Sequence, residues 1–138
     1  MQRTLIIFKP DCVQRRLVGS ILQRFEAKGL RIVALKLIRV DRALGEKHYA
    51  EHKGKPFYDD LVAFITRSPA MVLVVEGPEG TVATVRSLIG ATDPAKAAPG
   101  TIRGDLAFAV TENLVHGSDS DDSAARETAL FFPDLAGG

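Results

Sequence analysis

Thr4-Leu5-Ile6-Ile7-Phe8-Lys9-Pro10-Asp11 sets the reading of everything after it. Leu5 to Phe8 is a continuous apolar, partly β-branched run cut off by Pro10, which has no amide proton for a ladder. It predicts a short buried strand that ends at Lys9 and leaves that lysine at a strand's carboxyl end. Val18, Ile21, Leu22 and Phe25 then fall at the i, i+3, i+4, i+7 spacing of one helical face, with Gly29 placed to stop the helix. Leu30 to Val40 predicts a second strand, and Asp41 an N-cap for a short helix through Tyr49. Phe57, Leu61, Phe64 and Ile65 again have helical spacing, with Pro56 suited to a first turn. Met71 to Val75, between Pro69 and Gly77, predicts a third strand, and Val82, Val85, Leu88 and Ile89 a further helix.

From Gly90 to Arg103, Pro94, Pro99 and Gly100 prevent any long element and predict a long loop, usually functional or interfacial inside a compact domain. Leu106 to Val110 predicts the last strand. Ser120, among Asp119, Asp121 and Asp122, marks a capped helix running to about Phe131. This succession predicts an α/β or α+β sandwich with helices packed on a sheet, while periodicity leaves the strand order open.

The 138 residues are one domain's worth and bury a core without disulfides or a structural metal, so a single domain over 1–138 is expected. With 46% apolar and 25% charged residues the chain reads as globular, disorder being expected only at Gly137-Gly138. A net charge of +1 provides no overall field for nucleic acid or an anionic membrane. Cys12, the single cysteine, forms no internal disulfide and reads as a small packing residue in a reducing compartment. Thr4 to Phe8 is too short for a secretory core, and no stretch approaches the ~18 apolar residues of a membrane span. A cytoplasmic protein is expected.

Neither a G-x-x-x-x-G-K-[ST] loop nor a G-x-G-x-x-G turn occurs, so a phosphate site has to use side chains. Arg86, Thr92 and Arg103 flank or lie within the Pro/Gly-rich loop, and guanidinium forks suit phosphate oxygens; taken singly, each reads first as a solvated surface residue. His116 sits between Leu114-Val115 and a Gly-Ser-Asp-Ser turn. It is either an ordinary core or surface histidine or a nucleophile, since a neutral imidazole attacks well near neutral pH and Gly117 leaves room for a phosphate. His48 and His52 lie four apart, but no third ligand completes a pattern such as H-E-x-x-H, so metal binding there is not expected. Phe57 beside Lys53 and Lys55 is either a base-stacking platform or the start of a hydrophobic helix face.

Five segments, in order and covering nearly the whole chain, resemble the motifs of the nucleoside diphosphate kinase family: Thr4 to Asp11, His48 to Phe57, Gly90-Ala91-Thr92-Asp93-Pro94, Pro99-Gly100-Thr101-Ile102-Arg103-Gly104-Asp105, and Asn113-Leu114-Val115-His116-Gly117-Ser118-Asp119-Ser120. The resemblance implies a ferredoxin-like βαββαβ core, with a four-stranded antiparallel sheet and added helices between the second and third strands. It implies ping-pong transfer of a γ-phosphate from a nucleoside triphosphate to a nucleoside diphosphate (ATP, GTP and deoxynucleotides among them) through phosphohistidine at Nδ1 of His116. Lys9 would contact the transferring phosphate and the ribose, Asn113 the ribose, Tyr49, Arg86, Thr92 and Arg103 the phosphates, and His52 the α-phosphate. Phe57 would stack on the base between Leu61 and Val110, while Glu127 and Ser118 would orient the imidazole. Mg2+ would arrive on the nucleotide rather than in a protein cage. Cys12 and Arg16 stand where the family commonly has smaller residues, and Leu106 where Phe is frequent. The chain stops soon after Phe132, as in many bacterial members, and a homo-oligomer is expected, a hexamer ahead of a tetramer.

Two other readings compete. One is a non-catalytic ferredoxin-like nucleotide-binding module, against which the joint presence of His116, Lys9, Arg103, Asn113 and Glu127 argues. The other is a histidine phosphorelay domain, normally a helical bundle, which the strand-rich pattern contradicts.

Overall fold

The computed structural model describes residues 1–136, so the expected disorder at Gly137-Gly138 lies outside the described residues. Strand β1 (Gln2–Phe8) runs through the middle of a four-stranded sheet, flanked by β3 (Ala70–Gly77) and β4 (Val115–Gly117); β2 (Arg31–Ile38) lies beyond β3. Every neighbouring pair is antiparallel. Between β2 and β3 the chain inserts α3 (Arg42–His48) and α4 (Tyr58–Thr66), which makes the topology a ferredoxin-like βαββαβ core with added helices.

The apolar run in β1 is continuous because both faces of the sheet are covered. Ile6 and Phe8 point into one core, against Ile21 and Phe25 of α2 (Val18–Ala27) and Val85 and Ile89 of α5 (Thr81–Ile89); Cys12 is buried there too, as its packing role requires. Leu5 and Ile7 point into a second core with Val62 and Ile65 of α4 and Phe131 of α7 (Asp121–Phe131). Each such side chain, fully removed from water, contributes roughly 1.5–3 kcal/mol, so the two layers are jointly responsible for holding β1 and its neighbours.

Pro10 ends β1, as its missing amide requires, and also opens α1 (Pro10–Gln14), whose first turn needs no proton there. The turn after α1 places Arg16 at φ 59°, in the left-handed region that costs a side-chain-bearing residue about 1 kcal/mol. α3 is capped by the Asp41 carboxylate, which accepts from the Leu44 amide at 2.8 Å. α4 starts at Tyr58, so Pro56 precedes the helix rather than forming its first turn. Ser120 caps α7, accepting from the Ser123 amide at 3.1 Å.

Leu106 to Val110 is not a strand. The Thr101 hydroxyl accepts from the Gly104 amide and starts α6 (Ile102–Leu106), which takes up Leu106; the rest lies in the 107–114 loop, where Phe108 is 97% exposed. The edge beside β1 is taken by Val115–Gly117, with Leu114 and Val115 fully buried. The long Pro/Gly loop is partly ordered by the single turn Pro94–Lys96 and the first turn of α6.

Candidate active site

His116 is the central residue of β4 and pairs with Ile7 of β1, so its backbone is fixed by the sheet. Its Nε2 lies 2.9 Å from Oε1 of Glu127 on α7, and the Ser118 hydroxyl donates to the same oxygen at 2.6 Å. Burial alone would raise the Glu127 carboxyl, but the hydrogen bond and charge of His116, the charge of His48 and the Ser118 bond bring it down to about 2. An ionised carboxylate only accepts, so Nε2 carries the ring proton and Nδ1 keeps a free lone pair.

His48, the last residue of α3, stands edge-on to His116 with ring centroids 4.7 Å apart. Burial first, and the neighbouring His116 second, push its pKa down to about 3, so it is neutral at physiological pH. Tyr49 also packs on His48, with ring centroids 4.6 Å apart, and its phenol is pushed up by burial. The row of rings continues through His52, 6.3 Å from Tyr49, to Phe57, 5.4 Å from His52. Phe57 is 46% exposed at the start of α4, with the Lys55 ammonium 5.8 Å from its ring.

A cluster of cations reaches the backbone on both flanks of His116, at Val115 and Gly117. Lys9, buried at the end of β1, donates to Oδ1 of Asn113 at 2.7 Å, and the Asn113 amide donates to the Thr92 carbonyl at 3.0 Å. Burial, then the charge of Arg103, lower Lys9 to about 8, with Asp11 partly offsetting them. Arg103 is lowered to about 10 by burial and then by Arg86. It donates to the carbonyls of Asn113, Gly90 and Val115 at 3.3, 3.2 and 2.6 Å, and Arg86 donates to the Gly117 carbonyl at 3.1 Å. Cations that lower one another's pKa are relieved by an anion, which is the electrostatic condition for a polyphosphate.

The structure thus gathers His116, Glu127, Ser118 and Tyr49 around His48, and Lys9, Asn113, Arg103 and the Thr92 backbone around the cations. Leu61 packs into the second core, and Val110 stands 52% exposed in the 107–114 loop. Gly117 does not serve to make room for a phosphate: a Cβ there would meet Ile89 Cδ1 at 2.7 Å and Val85 Cγ1 at 3.4 Å, so the residue is small because α5 packs on it. Sequence reasoning missed His48 as a neighbour of His116, having paired it only with His52. It also gave no role to Asp11, whose Oδ2 accepts from the Leu114 amide at 3.0 Å and holds that residue at φ 74°. Among the described residues one group of three potential metal ligands occurs, His48, His116 and Glu127. Its two nitrogens do not suit Mg2+, which prefers oxygen ligands and keeps its waters.

The sequence profile of the nucleoside diphosphate kinase family matches residues 2–136. The chain belongs to that family. Nucleoside diphosphate kinases similar to it include that of Thermomicrobium roseum, 61% identical over 96% of this chain and 88% of the relative, and that of Rubrobacter xylanophilus, 61% identical over 96% and 98%. Among solved structures, the halophilic nucleoside diphosphate kinase of Halobacterium salinarum in complex with CDP superposes with a TM-score of 0.94 at 50% identity, covering 98% of this chain and 90% of that one. A nucleoside diphosphate kinase family protein from Babesia bovis also gives 0.94, at 46% identity and 99% and 91% coverage. As a nucleoside diphosphate kinase the chain is a phosphotransferase, and none of its described helices is long and apolar enough to cross a membrane.

Proposed function

We propose that the chain passes the γ-phosphate of a nucleoside triphosphate to a nucleoside diphosphate in two displacements, with His116 as the carrier. The observation that supports this most is the 2.9 Å contact between His116 Nε2 and Glu127, because it leaves Nδ1 as the free nucleophile. In the first displacement Nδ1 bonds to the γ-phosphorus as the bond to the β,γ-bridging oxygen breaks, and the diphosphate departs with the electron pair. In the second, an oxygen of a different diphosphate's β-phosphate attacks the same phosphorus and Nδ1 leaves.

Lys9, Arg86 and Arg103 supply positive charge to the transferring group, with Thr92 and Tyr49 as further phosphate contacts. Arg103 uses three of its five donors on carbonyls, which leaves two for phosphate. Asn113 and Lys9 take the ribose and His52 the α-phosphate. Phe57 stacks on the base between Leu61 and Val110, and because every base has a π-face, ATP, GTP and deoxynucleotides all serve. Mg2+ bound to the nucleotide neutralises charge on the phosphate oxygens. The working form is a cytoplasmic homo-oligomer, a hexamer ahead of a tetramer.

Incubation with γ-labelled ATP, followed by GDP, tests the carrier. Acid-labile, base-stable label on the protein that moves to GDP is expected; labelling and transfer undiminished in His116→Ala would overturn the assignment.

A further inference from the structure

We propose that His48, His116 and Glu127 form a binding site for a borderline transition-metal dication, with zinc as the reference ion, and that its occupation switches the carrier off. The proposal rests on the reading of His116 as that carrier.

One potential ligand atom from each of the three lies within 4.8 Å of the other two. Two imidazoles and a carboxylate are a zinc, copper or nickel donor set, and in a tetrahedral site with bonds of 2.0–2.1 Å neighbouring ligand atoms stand about 3.3 Å apart. His116 Nε2 is 2.9 Å from Glu127 Oε1 and His48 Nδ1 is 3.7 Å from its other oxygen, Oε2, so the two rings flank one carboxylate, and small side-chain turns bring one of its oxygens to that spacing from both. The second observation is His48 itself: only 2% exposed, it has no hydrogen-bond partner on either ring nitrogen. A buried polar side chain without partners is uncommon, and a ring nitrogen that faces a carboxylate across 3.7 Å would, on giving up its proton, share a cation with it. Arg126, 3.5 Å from Glu127 Oε2 and donating to the Lys47 and His48 carbonyls at 3.3 and 3.5 Å, opposes a second positive charge, but its side chain is 43% exposed, so water screens that charge. His116, its side chain 22% exposed, is the member open to solvent, the side from which a water would complete the set as fourth ligand.

The consequence for the reaction follows from proton placement. A metal at Nε2 takes the lone pair of that nitrogen, so Nε2 releases its proton to solvent and Nδ1 takes one up. The ring's proton count is unchanged. Nδ1 then has no lone pair for phosphorus, although Lys9, Arg86 and Arg103 are untouched. Mg2+ prefers oxygen donors and leaves the ring alone.

The test uses the metal-free enzyme titrated with zinc chloride in non-chelating buffer, read by calorimetry, by ring 15N resonances and by labelling from Mg-ATP. The chain has three histidines, so His52 serves as the internal control. Expected are one zinc per chain, joint shifts of the His48 and His116 rings with His52 still, and a loss of labelling of at least about tenfold that a chelator reverses. His48→Gln and His116→Ala should each weaken zinc binding by roughly tenfold or more, and His52→Ala should not. Unmoved His48 and His116 resonances, or zinc affinity unchanged in both variants, overturns the site, and the resonance test on the unaltered protein stands even if a variant fails to fold. Zinc bound as described with labelling undiminished overturns the switch, whereas zinc-free enzyme that takes no label overturns the carrier reading itself.

Discussion

Arg103→Lys separates two things one arginine does. Arg103 is 3% exposed and donates to the carbonyls of Asn113, Gly90 and Val115, the first and last of them residues flanking the approach to His116. Lysine keeps the charge but is a compact ammonium on a flexible stem, unable to span three carbonyls on different sides. If it keeps the Val115 bond, the buried Asn113 carbonyl loses a charged donor at about 1.5–3 kcal/mol and keeps the Val115 amide at 2.9 Å, and the half-buried Gly90 carbonyl adds less because water reaches it. The variant should therefore be less stable by about 2–4 kcal/mol, or roughly 10 °C in Tm for a chain of this size. Urea unfolding, parent and variant compared at one protein concentration, measures this. Phosphotransfer should fall in parallel. A variant within about 1 kcal/mol of the parent that nonetheless loses phosphotransfer would refute the argument, because Arg103 would then act on phosphate alone.

Glu127→Gln removes the charge that fixes the His116 tautomer, and should slow formation of the labelled protein roughly 10–100-fold with nucleotide affinity kept; equal rates would sink the orienting role. Glu127 is held at about 2, below its unfolded value, so the stability it adds is present above the ordinary carboxylate range and is lost as pH falls toward 2. Lys9, lowered to about 8 from an ordinary 10.5, works the other way. Below pH 8 both states carry the proton and the penalty is complete; between about 8 and 10.5 only the unfolded state does, so the nucleotide-free fold gains up to roughly 3 kcal/mol while kcat/KM falls. A Lys9→Met protein, compared by unfolding across that range, should lack the gain. Arg16→Gly should raise stability by about 0.5–1 kcal/mol by relieving a φ of 59°, readable as a higher urea midpoint.

The elements whose burial is one-sided or continuous were readable in the sequence: β1, β3, α2, α5 and the Ser120-capped α7 lie where the patterns set them. What failed was a choice between two apolar segments for one vacancy beside β1. Leu106-Ala107-Phe108-Ala109-Val110 has the stronger composition, yet the Thr101 cap commits its first residue to a helix, and the short Val115-His116-Gly117 takes the edge. Local pattern does not record such competition. At the site, Lys9, Arg103, Asn113 and Ser118 stand in the five motifs that run in family order, and Arg86 and Glu127 were expected only through the resemblance those motifs carry, not through any property of one residue. His48 escaped because its partners come from β4 and α7, far along the chain, and spacing on one helix carries no trace of them.

The pairing of His116 with Ile7 has a kinetic corollary. A nucleophile stitched into a sheet cannot travel as a tethered arm does, so donor and acceptor must occupy one cleft by turns. Every diphosphate that lands on the uncharged carrier is then a stalled encounter, while the same molecule on the charged carrier is the next substrate. Turnover therefore peaks at an intermediate balance of the two nucleotide pools and falls away on either side, so a rigid strand makes the enzyme's throughput a readout of that ratio.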